Sequence, residues 1–173
     1  MGEKVHILAL VTVTVTLVVG ADGSTSKNGN SAGVSSAADR TAFLARRRLA
    51  DCILIGGNTA RTEPYHRTPV PVVVLSKSLI NPLADNRLAH CWNLSPVKAI
   101  ERASTTFGPD IHVEAGVAII QELIAANLVD ALELSITEVV GGEDLIDISQ
   151  LLSHFPHQSE KDDSGTRFIS ARK

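Results

Sequence analysis

Two short stretches of this chain hold residue types that can do chemistry. The first is residues 51–64, Asp51-Cys52-Ile53-Leu54-Ile55-Gly56-Gly57-Asn58-Thr59-Ala60-Arg61-Thr62-Glu63-Pro64. A short apolar run ends at two glycines, which turn tightly and let a ligand approach the backbone. Thr59 then offers a hydroxyl, Arg61 a cation and Glu63 a carboxylate. Strand, glycine turn and polar groups in that order build sites at the carboxyl ends of open α/β sheets. An ordinary strand-to-helix turn has the same composition, so this stretch alone leaves both readings open.

The second stretch is Ile111-His112-Val113-Glu114-Ala115-Gly116. In a strand, Ile111 and Val113 face one side, and His112 and Glu114 the other. Glu114 then falls at the carboxyl end, and Ala115-Gly116 opens a helix. A helix start beside small residues presents free N–H groups and a positive dipole end, which suits phosphate. Small residues also let a helix pack close to a sheet, and no G-x-G-x-x-G accompanies them.

The surrounding elements must position these groups. Val11 to Leu17 alternates Val and Thr in the period of a strand. Residues 5–19 also have the charged start, apolar middle and small-residue exit of a signal peptide. The strict alternation favours a strand, and residues 1–10 read either as its extension or as a loosely ordered start. Residues 21–35 read as a loop. Ser35 or Ser36 caps a helix over 37–49, with Phe43, Leu44 and Leu49 as core positions and Arg46-Arg47-Arg48 at its negative end. Two of those three arginines are expected in solvent.

A strand over 51–57 leads into a loop through Pro64 and Pro69, then a strand over 71–75. Residues 77–95 are irregular, with a short strand at 90–93. Pro96 opens a helix to about Ala103. A strand follows at 110–114, then a helix over 117–127 with Val117, Ile120, Ile124 and Leu128 on its apolar face. The next strand is 130–137, followed by Gly141-Gly142. A helix over 145–152, a turn over 158–165 and a strand over 167–172 complete the chain. Strands and helices alternate, and the runs at 11–19, 51–55 and 71–75 are continuously apolar or β-branched. This predicts one α/β domain over 1–173, with a mostly parallel central sheet, helices on both faces and 11–19 as a buried central strand.

Composition narrows the function. The net charge of −3 gives no electrostatic reason to expect nucleic acid or an anionic membrane as partner. The two cysteines form no C-x-x-C pair, which favours a reduced, cytoplasmic protein. The histidines show no zincin or zinc-deaminase spacing, so no metal is expected. No G-x-S-x-G or Walker A loop is present.

The chain resembles the reductase domain of bacterial riboflavin biosynthesis, in the dihydrofolate-reductase-like superfamily, and within it the stand-alone pyrimidine reductases. The resemblance runs through Asp22-Gly23, Gly29-Asn30-Ser31 and Asp39-Arg40, then 50–63. It resumes at Pro71-Val72-Val73-Val74-Leu75-Ser76, Val113-Glu114-Ala115-Gly116, Leu128-Val129-Asp130 and Gly141-Gly142. It implies a dihydrofolate reductase-like three-layer fold, a homodimer and NADPH as cofactor. The implied activity is reduction of the ribosyl group of a ribosylamino-pyrimidine phosphate to ribityl. It also implies site residues. Thr59, Glu63, Ser76, Ala115, Gly116 and Val117 match cofactor positions. Ser31, Arg47, Arg67 and Glu114 match positions around a phosphorylated substrate, and Glu63 and Glu114 are the candidate catalytic carboxylates. Gly20, Val117 and Val140 stand where the family usually has Ser, Pro and Pro. Another NADPH-dependent reductase on this fold, or a nucleotide-binding dimer without turnover, are the rival readings.

Overall fold

The computed structural model describes residues 10–78 and 80–173. In chain order the elements begin with β1 (Thr12–Val19), β2 (Ser24–Ser26), a 3-10 turn (Ser31–Gly33), α1 (Ala37–Arg47), β3 (Cys52–Gly56) and α2 (Gly57–Thr62). Next come β4 (Val72–Leu75), β5 (Ala89–Trp92), α3 (Pro96–Thr106), β6 (Asp110–Val113) and α4 (Val117–Ala125). The last are β7 (Ala131–Ile136), β8 (Glu143–Leu145), α5 (Ile148–Leu152), β9 (His157–Asp163) and β10 (Thr166–Arg172). Eight strands form one sheet in the order β5-β4-β3-β6-β1-β7-β10-β9, and β2 pairs with β8 beside it. All neighbours from β5 to β7 are parallel, and β10 is antiparallel to both β7 and β9.

The Val–Thr alternation explains the place of β1. Val15 pairs with Val113 on one side and with Leu132 on the other, so the strand is central. Val13 and Val15 share an aliphatic core with Ala99, Ile100 and Ala103 of α3 and Ile120 and Leu123 of α4. The opposite face carries Thr16, whose side chain borders a cleft. Successive residues of β3 split the same way. Leu54 joins the α3–α4 core, whereas Ile53 and Ile55 pack with Val72, Val74, Ala60 of α2, Tyr65 and Leu83. Helices therefore cover both faces. Cys52 lies in the first core, and burial pushes its thiol up to about 12, which leaves it unreactive near neutral pH.

Several expectations are corrected. Leu44 and Leu49 are 40% and 76% exposed rather than core. Helix α1 ends at Arg47 and buries Asp39 and Arg47 instead, because it lies over the polar face that carries Thr16 and Glu114. Of the two expected caps, Ser36 is the one used, accepting the Asp39 N–H at 3.0 Å. A short helix, α2, replaces the start of the loop expected after Gly57. Helix α3 runs on to Thr106. The buried residues of α4 are Ile120 and Leu123, while Ile124 and Leu128 only edge the core. β2, the 3-10 turn and β8 interrupt segments read as loop or helix, and α5 begins only at Ile148. The turn expected over 158–165 is largely β9, an edge strand exposed at all seven positions. Its backbone pairs with β10 without an apolar face to announce it, and its charged side chains blunt the edge. Residues 1–9 of the signal-peptide or strand alternative lie outside the described residues. No helix among the described residues is long and apolar enough to cross a membrane.

Candidate functional site

The carboxyl ends of β1, β3 and β6 open into a cleft of about 1280 Å³. Parallel strands bring these ends to one edge, where open α/β sheets place ligands. Beyond β3 the chain turns at Gly57 into α2, which carries Thr59 and leads to Glu63. Beyond β6 it runs through Glu114, Ala115 and Gly116 into α4. Facing them across the cleft are the 3-10 turn and one face of α1.

The floor is a buried polar group. Glu114 is 7% exposed and Arg47 4%. Arg47 donates from Nε to both Glu114 oxygens, at 3.1 and 3.0 Å, and from Nη2 to Oε2 at 2.8 Å. Tyr65 donates its hydroxyl to the same Oε2 at 2.7 Å. The Arg47 guanidinium lies over two rings, 4.2 Å from the centre of Phe43 and 4.5 Å from that of Tyr65. Burial opposes the Arg47 charge, but the Glu114 carboxylate outweighs it and holds the Arg47 pKa above its ordinary value. Burial, then the Glu114 charge, raises Tyr65 well above the usual phenol range, so its proton stays on oxygen. Glu114 is thereby fixed in place, and its Oε1, which accepts only from Arg47 Nε, faces fewer donors than Oε2.

The walls are tied together. Glu63 Oε1 accepts the Ser31 N–H at 2.8 Å, which joins the end of α2 to the 3-10 turn. Glu143 accepts the N–H groups of Asn28 and Gly29 at 3.1 and 3.4 Å. Behind this rim, Asp22 accepts from the Ser24 hydroxyl at 2.6 Å, the Ser24 N–H at 3.1 Å and the Gly141 N–H at 2.7 Å. These bonds, the Ser24 hydroxyl foremost, lower the Asp22 pKa from 3.8 to about 2. A depressed carboxylate contributes stability that is full above the unfolded value and is lost as pH falls through the folded one. The Gly141 amide is therefore expected to keep its hydrogen-exchange protection at pH values above 3.8 and to lose it as pH falls to about 2. Asp22→Asn should weaken that protection already at neutral pH, and an unchanged exchange rate would sever Asp22 from this loop.

Gly116 is the N-cap of α4, with φ −64° and no side-chain cap bond. A Cβ built there meets nothing within 4 Å. The first N–H groups of α4 have no partner inside the helix, and the space before them is open to the cleft. This is a cradle that a side chain would fill, and it fits the diphosphate of a nicotinamide cofactor.

Ser31, Arg47, Thr59, Glu63, Glu114, Ala115, Gly116 and Val117 thus line one cleft. Two candidates are not brought to it. Ser76 stands just past the end of β4 on the far side of Gly57; its Oγ lies 3.2 Å from where a Gly57 Cβ would sit and accepts the Ser78 N–H at 3.1 Å. Arg67 is exposed and absent from the lining. Asn86 donates to Tyr65 O at 3.0 Å and to Thr68 Oγ1 at 3.1 Å, and His66 meets Asp85 at 2.8 Å. These contacts hold residues 66–68 against the 85–86 segment and turn Arg67 away from the cleft. Arg46 is partly buried and Arg48 exposed, so Arg47 is the arginine of the three that reaches the site. Sequence reasoning missed Tyr65, Phe43 as a ring over Arg47, Arg40 and Glu143. The signal for Tyr65 was its being the single tyrosine of the chain, a residue that needs a partner for its hydroxyl when buried. Among the described residues, no group of three or more His, Cys, Asp or Glu is placed to hold a metal.

Residues 11–155 match the RibD C-terminal domain. No curated protein sequence matches the chain. Among solved structures, a pyrimidine reductase-like protein from Corynebacterium diphtheriae superposes with a TM-score of 0.72 at 18% identity, covering 94% of this chain and 91% of that one. A diaminohydroxyphosphoribosylaminopyrimidine deaminase/5-amino-6-(5-phosphoribosylamino)uracil reductase from Thermotoga maritima gives 0.67 at 13% identity, over 94% of this chain and 56% of that one. The riboflavin biosynthesis reductase Rib7 of Saccharomyces cerevisiae gives 0.65 at 16% identity, over 94% and 90%.

Proposed function

The chain belongs to the RibD C-terminal domain family, with the dihydrofolate-reductase-like α/β fold of its structural neighbours, and from that premise we propose that it is an NADPH-dependent reductase of riboflavin biosynthesis. The proposed reaction reduces the ribosyl group of a ribosylamino-pyrimidine phosphate to ribityl. The observation that supports it most is the cleft itself, in which the open start of α4 at Gly116 lies beside the buried Glu114 carboxylate. The names of the Thermotoga and yeast proteins point to the same chemistry.

The N–H groups at the start of α4, with Ala115, Gly116 and Val117, would hold the cofactor diphosphate. Thr59 and Glu63 would border the same cofactor, and Ser76 stands just past the end of β4 beside Gly57. When bound, the nicotinamide supplies a hydride, and the protein's part is placement. Glu114, held by Arg47 and Tyr65, orients the hydroxyl or amine donors of the substrate through its less engaged Oε1. Ser31, fixed by Glu63, closes the opposite wall. Reduction adds a hydride to C1′ and a proton to the released ring oxygen, and the open cleft lets solvent deliver that proton. The test is titration with NADPH and NADH, followed by single-turnover reduction of the pyrimidine substrate. Tight NADPH binding without turnover would favour the rival reading of a nucleotide-binding dimer.

A homodimer belongs to the same proposal. It accords with the positive mean hydropathy of +0.13 and with the exposed Leu44 and Leu49. Light scattering at micromolar concentration should give twice the chain mass, and the mass of one chain would refute it.

A further inference from the structure

Helix α1 presents Arg40, Phe43 and Arg47 to the cleft, at the i, i+3, i+7 spacing of one helix face. The Arg40 guanidinium lies 5.7 Å from the Phe43 ring centre, with Arg47 4.2 Å from the same ring and Tyr65 beyond it. These two arginines are the cationic side chains among the cleft's lining residues, which also include Asp39, Glu63, Glu114, Glu143 and Asp144. Arg47 is committed to Glu114. Arg40 is in no ion pair among the described residues, and its near neighbour Asp39 is buried and engaged by the Ser35 hydroxyl at 2.6 Å. One charge is neutralised at the floor, and the other is free nearer solvent.

A substrate phosphate needs such a group. In a cleft with this many carboxylates, a phosphomonoester finds net attraction only where a cation lacks its own acid. The start of α4 is taken by the cofactor in the reading proposed above. We infer that Arg40 binds the phosphate end of the substrate and so selects phosphorylated over unphosphorylated ribosylamino-pyrimidine. The guanidinium fork pairs with phosphate bidentately. Contact with the Phe43 face restricts the side chain before the ligand arrives, which lowers the entropy lost on binding. This inference rests on the proposed reaction for its substrate, but the group it assigns, a sugar phosphomonoester, can be tested without it.

The experiment uses the wild type, Arg40→Ala and Arg40→Lys. It measures KM for the ribosylamino-pyrimidine phosphate and for the same compound without its phosphate, and Kd for ribose 5-phosphate and for NADPH. Arg40→Ala should raise KM for the phosphorylated compound about tenfold or more. It should weaken ribose 5-phosphate by a similar factor and leave the dephosphorylated compound and NADPH within about twofold. Arg40→Lys, a point charge without the fork, should recover part of the loss. An equal change for both pyrimidine compounds, or no change for either, overturns the assignment. Wild-type turnover together with ribose 5-phosphate binding that ignores Arg40 overturns the assignment and leaves the reaction standing. Arg40-dependent binding of ribose 5-phosphate without any turnover supports the assignment and removes the reaction. A wild type that neither binds ribose 5-phosphate nor discriminates the phosphate in KM also overturns the assignment.

Discussion

Arg47→Ala is expected to lower the stability of the fold by about 3–5 kcal/mol, the usual cost of stranding one member of a buried ion pair. The geometry favours so large an effect. Both groups are nearly sealed from water, and Arg47 supplies the donors of every hydrogen bond to the Glu114 carboxylate except that of the Tyr65 hydroxyl. With Arg47 gone, the buried Glu114 carboxylate keeps only the Tyr65 hydroxyl as a side-chain donor. The carboxylate itself is the source of the loss, so pairing Arg47→Met with Glu114→Gln should recover much of it, since well-packed neutral replacements of buried pairs are often tolerated. Arg47→Lys should recover less, because a lysine cannot reproduce the two-point contact with the carboxylate or the planar guanidinium's contact with the rings. Urea unfolding of the single and double variants, read as a double-mutant cycle, separates these terms. A loss under about 1 kcal/mol for Arg47→Ala would mean that water reaches Glu114.

Fold and site were not equally legible in the sequence. The central strands carried their own signal. The unbroken aliphatic runs of β3 and β4 follow from burial on both faces, and the alternation of Val and Thr in β1 follows from one apolar face and one that borders the cleft, so the pattern of apolar residues found all three. So did the position of Glu114 at the carboxyl end of β6, since side chains alternate and the strand had a clear end. Where the buried surface is polar, the signal vanished. Helix α1 turns Asp39 and Arg47 inward, and a pattern that assumes apolar residues inside assigned Leu44 and Leu49 to the core. β9 is exposed at every position and has no buried face to betray it.

The site divides along the same line. Residues fixed close after a strand end, on or beside a helix, such as Thr59, Glu63 and Gly116, come together because the parallel sheet delivers them to one edge. Arg67 depended on the course of a loop. The contacts that steer that loop, from Asn86 and Asp85, lie some twenty residues further along. Tyr65, two residues before Arg67, turns inward beneath Arg47 while Arg67 turns out. No spacing rule distinguishes those two outcomes, because they are decided by packing against Leu83 and the second core.

Gly116→Val is expected to weaken NADPH binding about thirtyfold, roughly 2 kcal/mol, while leaving the fold intact. The fold should survive because the backbone at Gly116 has φ −64° and ψ 162°, a conformation open to any residue, and because a Cβ there meets no atom within 4 Å. That same open space is where a diphosphate would approach the first N–H groups of α4. A branched side chain would hold the phosphate away from them and forfeit at least one charge-assisted hydrogen bond, about 1.5–3 kcal/mol. The loss should be specific to ligands that carry the diphosphate, with ribose 5-phosphate affinity nearly unchanged if that group is held by Arg40. Gly116→Ala should fall between, since a single methyl group only narrows the approach. Fluorescence titration with NADPH, beside a thermal unfolding curve for each variant, checks both halves. If Gly116→Val is as stable as the wild type and binds NADPH as well, the diphosphate does not lie at this helix start and the cofactor must enter the cleft in another pose.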